Sequence, residues 1–219
     1  MKFIDQLKEK AKQNKKTIVL PETSDMRTIE AAGKVLAEGI ANIILVGDKE
    51  DIMSRAGDID LSGASFVDPK NYEKFDEYVD AFVEMRRKKG MTEARAKELL
   101  LTNPLYFGCM MVKQDDADGM VAGAINASAD VLRAALQTLK TAPGTRIVSA
   151  FFLVVVPDCQ YGANGTFVFA DAGLNQSPSA SELADIAEQS AKSFELLVDE
   201  TPVVAMLSHS TKGSAKHPD

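Results

Sequence analysis

The chain is poor in the residues that build covalently linked or metal-held scaffolds. Its 219 residues include two cysteines, Cys109 and Cys159, and two histidines, His209 and His217. Two scattered thiols make no disulfide framework, and with no secretory leader at the start they point to a reducing cytoplasm. The same four residues lack the spacing of a ligand set, so no metal site is expected. Neither G-x-G-x-x-G nor G-x-x-x-x-G-K-[ST] occurs, so no nucleotide fingerprint is present. Positive charge is scarce as well. The formal net charge is -7, and Arg86-Arg-Lys-Lys89 is a short basic run at a helix end rather than a patch interleaved with aromatics, which excludes nucleic acid as a partner. The longest apolar stretch, residues 147–157, falls short of the ~20 residues that a membrane-spanning helix requires, and reads as a buried strand. No membrane partner is expected.

The composition that remains is 45% hydrophobic and 26% charged, a normal globular mix with material for one large or two small domains. Hydrophobic periodicity alternates along it. Phe3, Ile4, Leu7 and Ala11 share a helical face, and Thr17-Ile-Val-Leu20 is a strand stopped by Pro21. Ile29, Ala32, Val35 and Leu36 form the next helical stripe, closed by Gly39. Asn42-Ile-Ile-Leu-Val46 is a second strand. A short helix over 50–55, a strand over 64–67, a long helix over 71–89 and two helices within 92–113 follow. A strand is expected over 120–124, then a helix from Ser128 to Lys140 and a turn at Ala142-Pro-Gly144. Beyond it, strands over 146–156 and 166–170 read as a hairpin. Ser179-Ala-Ser-Glu182 is a capping box that opens a helix with Leu183, Ile186, Ala187, Ser190, Phe194 and Leu197 on one face. Val203 to Leu207 is the last expected strand. Such alternation predicts an α/β fold with a mostly parallel sheet. The domain boundary is placed between 142 and 145, which gives 1–143 as the first α/β domain and 144–219 as a second, incomplete one.

The most informative segment is Asp118-Gly-Met-Val-Ala-Gly123 with its continuation to Arg133. A strand end that feeds a helix start presents free N–H groups and the positive end of the helix dipole, an anion site. Arg133, about one turn into the helix, opposes that dipole unless an anion offsets both, so phosphate is the expected ligand. Ser128 is expected to cap this helix, a role compatible with touching a bound phosphate. Arg86 stands out next: Phe75, Val79 and Phe82 step along one helix face, and four residues further lies Arg86. A guanidinium there either snorkels to water or binds an anion with its planar fork. Arg87 points elsewhere and is solvated. Glu22 and Asp25 follow the first strand's end, either as catalytic carboxylates or, for Asp25, as a helix cap. Cys159, in a turn beside Asp158, has no base near it in sequence and reads as a non-catalytic thiol.

These residues carry a resemblance to the phosphate acetyltransferase (phosphotransacetylase) family over essentially the whole chain. Its segments are Leu20-Pro-Glu-Thr23 with Arg27, Leu45-Val-Gly47, Asp118 to Gly123 with Ser128 and Arg133, Ser149-Ala-Phe-Phe152, Val156-Pro-Asp158, Phe169-Ala-Asp-Ala-Gly173 and Ala205 to Ser214. The resemblance implies two three-layer α/β domains with a cleft between them, isocitrate/isopropylmalate dehydrogenase-like. The first of these takes in the N-terminal stretch plus a return of the C-terminal end. It implies the reaction acetyl-CoA + phosphate = CoA + acetyl phosphate, in which an aspartate deprotonates the CoA thiol and a serine and arginines stabilise charge. By the same resemblance Arg86 and Arg133 are the catalytic phosphate-side arginines. Ser128, Ser210, Thr211, Lys212, Gly213 and Ser214 bind substrate, and Cys159 lies near the site without being essential. CoA, acetyl phosphate and inorganic phosphate are the expected partners, with CoA or acetyl-CoA a substrate and no cofactor, in a cytoplasmic homodimer. Family members are longer, and their catalytic aspartate would lie beyond Asp219, so the chain is expected to be an incomplete version lacking the C-terminal third and carrying part of the site. A phosphate butyryltransferase-like acyltransferase, or a non-catalytic module that binds CoA or an acyl phosphate, are the alternatives.

Overall fold

A computed structural model describes residues 3–207, 213 and 214. The chain divides into two compact units, one up to Lys140 and one from Thr141 onward. The first opens with α1 (Phe3–Gln13), β1 (Thr17–Leu20), α2 (Met26–Glu38), β2 (Asn42–Val46), α3 (Lys49–Ala56) and β3 (Ser65–Val67). It continues with α4 (Phe75–Arg86), a 3-10 turn at Arg87–Lys89, α5 (Glu93–Thr102), α6 (Pro104–Lys113), β4 (Gly119–Met120) and α7 (Ser128–Thr138). The four strands form one parallel sheet in the order β3-β2-β1-β4.

Alternation along the central strands explains the layering. Successive side chains of a strand point to opposite faces. Val19, Ile44 and Val46 enter one core with Phe82, Leu100, Phe107 and Met110 from α4, α5 and α6. Leu20, Ile43 and Leu45 enter the other with Ile29 and Ala32 from α2 and Ile52 from α3. Both faces are covered, so these strands read as unbroken apolar runs, as parallel strands do. Each fully buried large side chain contributes about 1.5–3 kcal/mol of hydrophobic transfer.

The second unit contains β5 (Phe151–Val155), β6 (Thr166–Ala170) and α8 (Ala180–Val198). β5 and β6 pair antiparallel, Phe152 opposite Phe169, as the expected hairpin. Ser179 caps α8 with a complete capping box, its hydroxyl toward the Glu182 amide and the Glu182 carboxylate back on the Ser179 amide.

Four expected elements differ. The helix expected over 71–89 starts only at Phe75, because the Asp68 carboxylate takes the Lys70 amide and the Asn71 side chain into a local turn, an alternative to helix. It ends in the 3-10 turn before left-handed Gly90. The strand expected over 146–156 is only Phe151–Val155. Arg146 is instead drawn to α8, where it bonds the Asp185 carboxylate and the Ser181 carbonyl. Val203 to Leu207 forms no strand: Val203 and Leu207 are 95% and 91% exposed, and the segment pairs with no described strand. β4 is two residues long rather than five, for a reason that lies in the site. Among the described residues no helix is long and apolar enough to cross a membrane.

Candidate functional site

The carboxyl edge of the sheet is tied by the turn after β1. There Thr23 donates its hydroxyl to the Val46 carbonyl at the end of β2 (2.6 Å), and Arg55 donates to the Thr23 carbonyl (2.7 Å). Glu22, 2% exposed, turns the other way, to the loop after β4. One carboxylate oxygen accepts from the Gly123 and Ala124 amides, both at 2.6 Å. The other accepts from the Ile125 amide (3.2 Å), the Asn126 amide (2.9 Å) and the Asn126 side chain (2.7 Å). These bonds outweigh the cost of burying the charge and hold the Glu22 carboxyl at about 2, below its ordinary 4.5.

This geometry corrects the anion site expected at the strand end. The N–H groups of 123–126, just ahead of the helix start, are there, but the protein's own carboxylate occupies them. It also explains the short β4: from Gly123 onward the amides point at Glu22 instead of at β1. Glu22 is therefore a structural anion, and the expected choice for Asp25 holds, since its carboxylate caps α2 through the Arg27 amide (2.8 Å). Ser128 is not the cap of α7. It is the first helical residue, exposed, and the cap position is Ala127, which has no side-chain acceptor. Arg133 does oppose the dipole of α7, and its charge is offset by Asp130 one turn back (2.5 Å).

A second concave site lies nearby in the same unit. The end of α4, the 3-10 turn, α5, Tyr106 of α6 and the middle of α7 enclose a cavity of about 410 Å³. Arg86 and Arg133, the two arginines singled out in the sequence, both line it, together with Lys89, Arg95, Tyr106 and Gln137. Glu98 is the one acidic residue of the lining. Arg86 is half-buried, and its Nε is buried without a hydrogen-bond partner among the described residues. Among the described residues Arg86, Lys89 and Arg95 form no ion pair, while the neighbouring Arg87 is 71% exposed and paired with Glu84, solvated as expected. Tyr106, 7% exposed, donates to the Gln137 side-chain oxygen (3.1 Å). Burial pushes its phenol up, while the Arg133 and Arg86 charges pull it down, so both guanidinium groups act on this ring.

Three cations outside any described ion pair, a fourth, Arg133, held by Asp130, one lining carboxylate and an unpartnered guanidinium N–H make a site suited to a polyanion that carries phosphate. Sequence reasoning missed Lys89, Arg95, Tyr106 and Gln137. Lys89 was visible only as the end of a basic run, and no periodicity joins Arg95 on α5 to Arg86 on α4. Of the remaining candidates, Ser210, Thr211 and Lys212 lie outside the described residues. Gly213 and Ser214 are exposed, in a turn and a bend. Cys159 lies half-buried in the β5–β6 connection of the second unit. Among the described residues no group of three or more His, Cys, Asp or Glu is arranged to hold a metal ion.

Comparison with known proteins gives concordant matches. Residues 2–219 match the family described as phosphate acetyl/butaryl transferase. Phosphate acetyltransferase from Acetivibrio thermocellus is 54% identical over 216 residues, which is 99% of this chain and 65% of that protein. Its counterpart from Thermoanaerobacterium thermosaccharolyticum is 54% identical over 217 residues, 99% of this chain and 66% of that protein. A phosphotransacetylase crystal structure from Streptococcus pyogenes superposes with a TM-score of 0.85 at 38% identity, over 99% of this chain and 64% of that one. The chain thus spans slightly less than two thirds of the length of these relatives.

Proposed function

The chain belongs to the phosphate acetyl/butaryl transferase family, and on that premise we propose that it serves the transfer of an acetyl group between CoA and inorganic phosphate, acetyl-CoA + phosphate = CoA + acetyl phosphate. The observation that carries the proposal is the cavity in which Arg86 and Arg133 converge. Both substrate pairs carry phosphate. The Arg86 Nε–H, buried and without a partner among the described residues, can bind a phosphate oxygen without giving up a protein contact. In this reading Arg86 and Arg133 hold the phosphate-bearing substrate and stabilise the charge that develops as the thiolate meets the acetyl carbonyl. Lys89 and Arg95 add to the positive field. Ser128, with Ser210 to Ser214, belongs to the substrate-binding set by family resemblance, and by the same resemblance Cys159 takes no part in the chemistry.

Arg133→Ala is expected to raise the KM for acetyl phosphate and to lower kcat in the assay of thioester formation, and unchanged kinetics would sink the proposal. Acyl-chain preference is decided by comparing acetyl-CoA with butyryl-CoA. The same reading takes residues 1–143 and 144–219 as parts of two domains of an isocitrate/isopropylmalate dehydrogenase-like fold, in a homodimer, with CoA a substrate and no further cofactor. Free thiols at Cys109 and Cys159 fit a reducing cytoplasm. Sedimentation velocity tests the dimer.

A further inference from the structure

The loop 123–126 leads directly into α7, which carries Arg133 into the cavity. It has little of its own to fix it. Gly123 has φ +109, its site offers no atom within contact distance of an added Cβ, and Val121 and Ile125 are 62% and 56% exposed. What holds the loop comes from the turn after β1 and the first turn of α2. Glu22 accepts from four consecutive backbone amides and one side-chain amide. Arg27 donates to the Ala124 carbonyl (2.6 Å) while its guanidinium is gripped by Asp25 (2.7 and 3.0 Å). Both the donors and an acceptor of the loop are thereby engaged.

We propose that Glu22 is a positioning residue: as a built-in anion it clamps the amides of 123–126, sets where α7 begins, and so places Arg133 in the cavity. The inference rests on the reading of that cavity as the anion site. The reasoning is geometric. Five donors converge on one carboxylate within 3.2 Å, so no neutral side chain of the same size satisfies them. A carboxamide presents N–H groups to N–H groups, and an alanine leaves an anion-shaped hole lined by amide donors. Small displacements matter: moving a binding group by about 1 Å is enough to cost about a hundredfold in a preorganised site.

The test uses Glu22→Ala and Glu22→Gln, with hydrogen exchange of the loop and first turn of α7, and calorimetric titration with inorganic pyrophosphate as the probe. The expected result is lost protection across 123–130 and an affinity for pyrophosphate at least about tenfold weaker in Glu22→Ala, with both restored in part by sodium formate, which fits the vacated hole. Glu22→Gln shows the same loss without rescue, because the hole is filled. Protection of 123–130 that is unchanged in both variants overturns the proposal, and so does protection lost with pyrophosphate affinity unaltered. If Glu22→Ala fails to fold, Glu22→Gln decides by the same two readouts. Wild-type protein that binds no pyrophosphate overturns the reading of the cavity itself, and then the protection pattern and its rescue by formate alone decide whether Glu22 holds the loop.

Discussion

Acid should weaken the Glu22 clamp, and the energy at stake follows from the geometry. The carboxylate is 2% exposed and holds its proton only near pH 2, against an ordinary 4.5. The folded value lies below the unfolded one, so the stabilisation is complete above about 4.5 and is lost as pH falls toward 2. At 1.36 kcal/mol per unit the shift corresponds to about 3 kcal/mol, with more than half gone by pH 3. A few charge-assisted hydrogen bonds at about 1.5–3 kcal/mol each, less the cost of burying the charge, give a net of this size. Glu22→Gln keeps the shape and removes the titration. Every other acid group is common to both proteins, so the difference between them isolates Glu22. Urea denaturation followed by tyrosine fluorescence reports mainly on the right unit, since Tyr72, Tyr78 and Tyr106 lie there and Tyr161 in the second unit is 70% exposed. At pH 7 the glutamine variant is expected to be less stable by about 3 kcal/mol, and the gap is expected to shrink by about 2 kcal/mol on going to pH 3. A gap constant to within about 0.5 kcal/mol, the usual scatter of a silent substitution, refutes the reasoning.

Other consequences are as definite. Arg86→Ala is expected to lower kcat/KM for acetyl phosphate and CoA by about tenfold to a hundredfold, the worth of a charge-assisted bond, while Arg87→Ala, one residue on and paired with Glu84 at the surface, leaves it within about twofold. Ellman's reagent should modify half-buried Cys159 in the native protein and spare Cys109, which is fully buried and whose thiol burial pushes up to about 11. Acetyl transfer that survives modification supports the non-essential role of Cys159. Phe107→Ala, at 0% exposure in the core, is expected to cost about 3–5 kcal/mol in urea denaturation. Ser179→Ala removes the cap of α8 and is expected to cost about 1 kcal/mol.

Much of the fold was legible because local chemistry and burial agree. β1, β2 and the α2 cap at Gly39 lie where apolar runs and a left-handed glycine required them. The capping box of Ser179 and Glu182 was visible as spacing alone. Apart from the late start of the helix at Phe75, which a local turn at Asp68 causes, elements failed where pairing with distant groups decided. β4 reads as five apolar residues, yet a carboxylate a hundred positions earlier takes its amides. Residues 203–207 have the composition of a strand, but a strand exists only where it pairs with another, and composition does not encode that pairing. At the site, helical stepping marked Arg86 and dipole reasoning marked Arg133, each as one of two alternatives. Their meeting with Lys89 and Arg95 depends on how α4, α5 and α7 pack, which no spacing in the sequence encodes.

We have proposed that the cavity of Arg86 and Arg133 serves acetyl transfer to and from phosphate. The most direct test is the absorbance of thioester formed from acetyl phosphate and CoA by the intact protein as its gene encodes it, in wild type and in the Arg86→Ala, Arg133→Ala double variant. Turnover in the wild type, with kcat/KM at least about a hundredfold lower in the double variant, is the predicted result. No thioester from the wild type, or equal turnover from both proteins, contradicts the account.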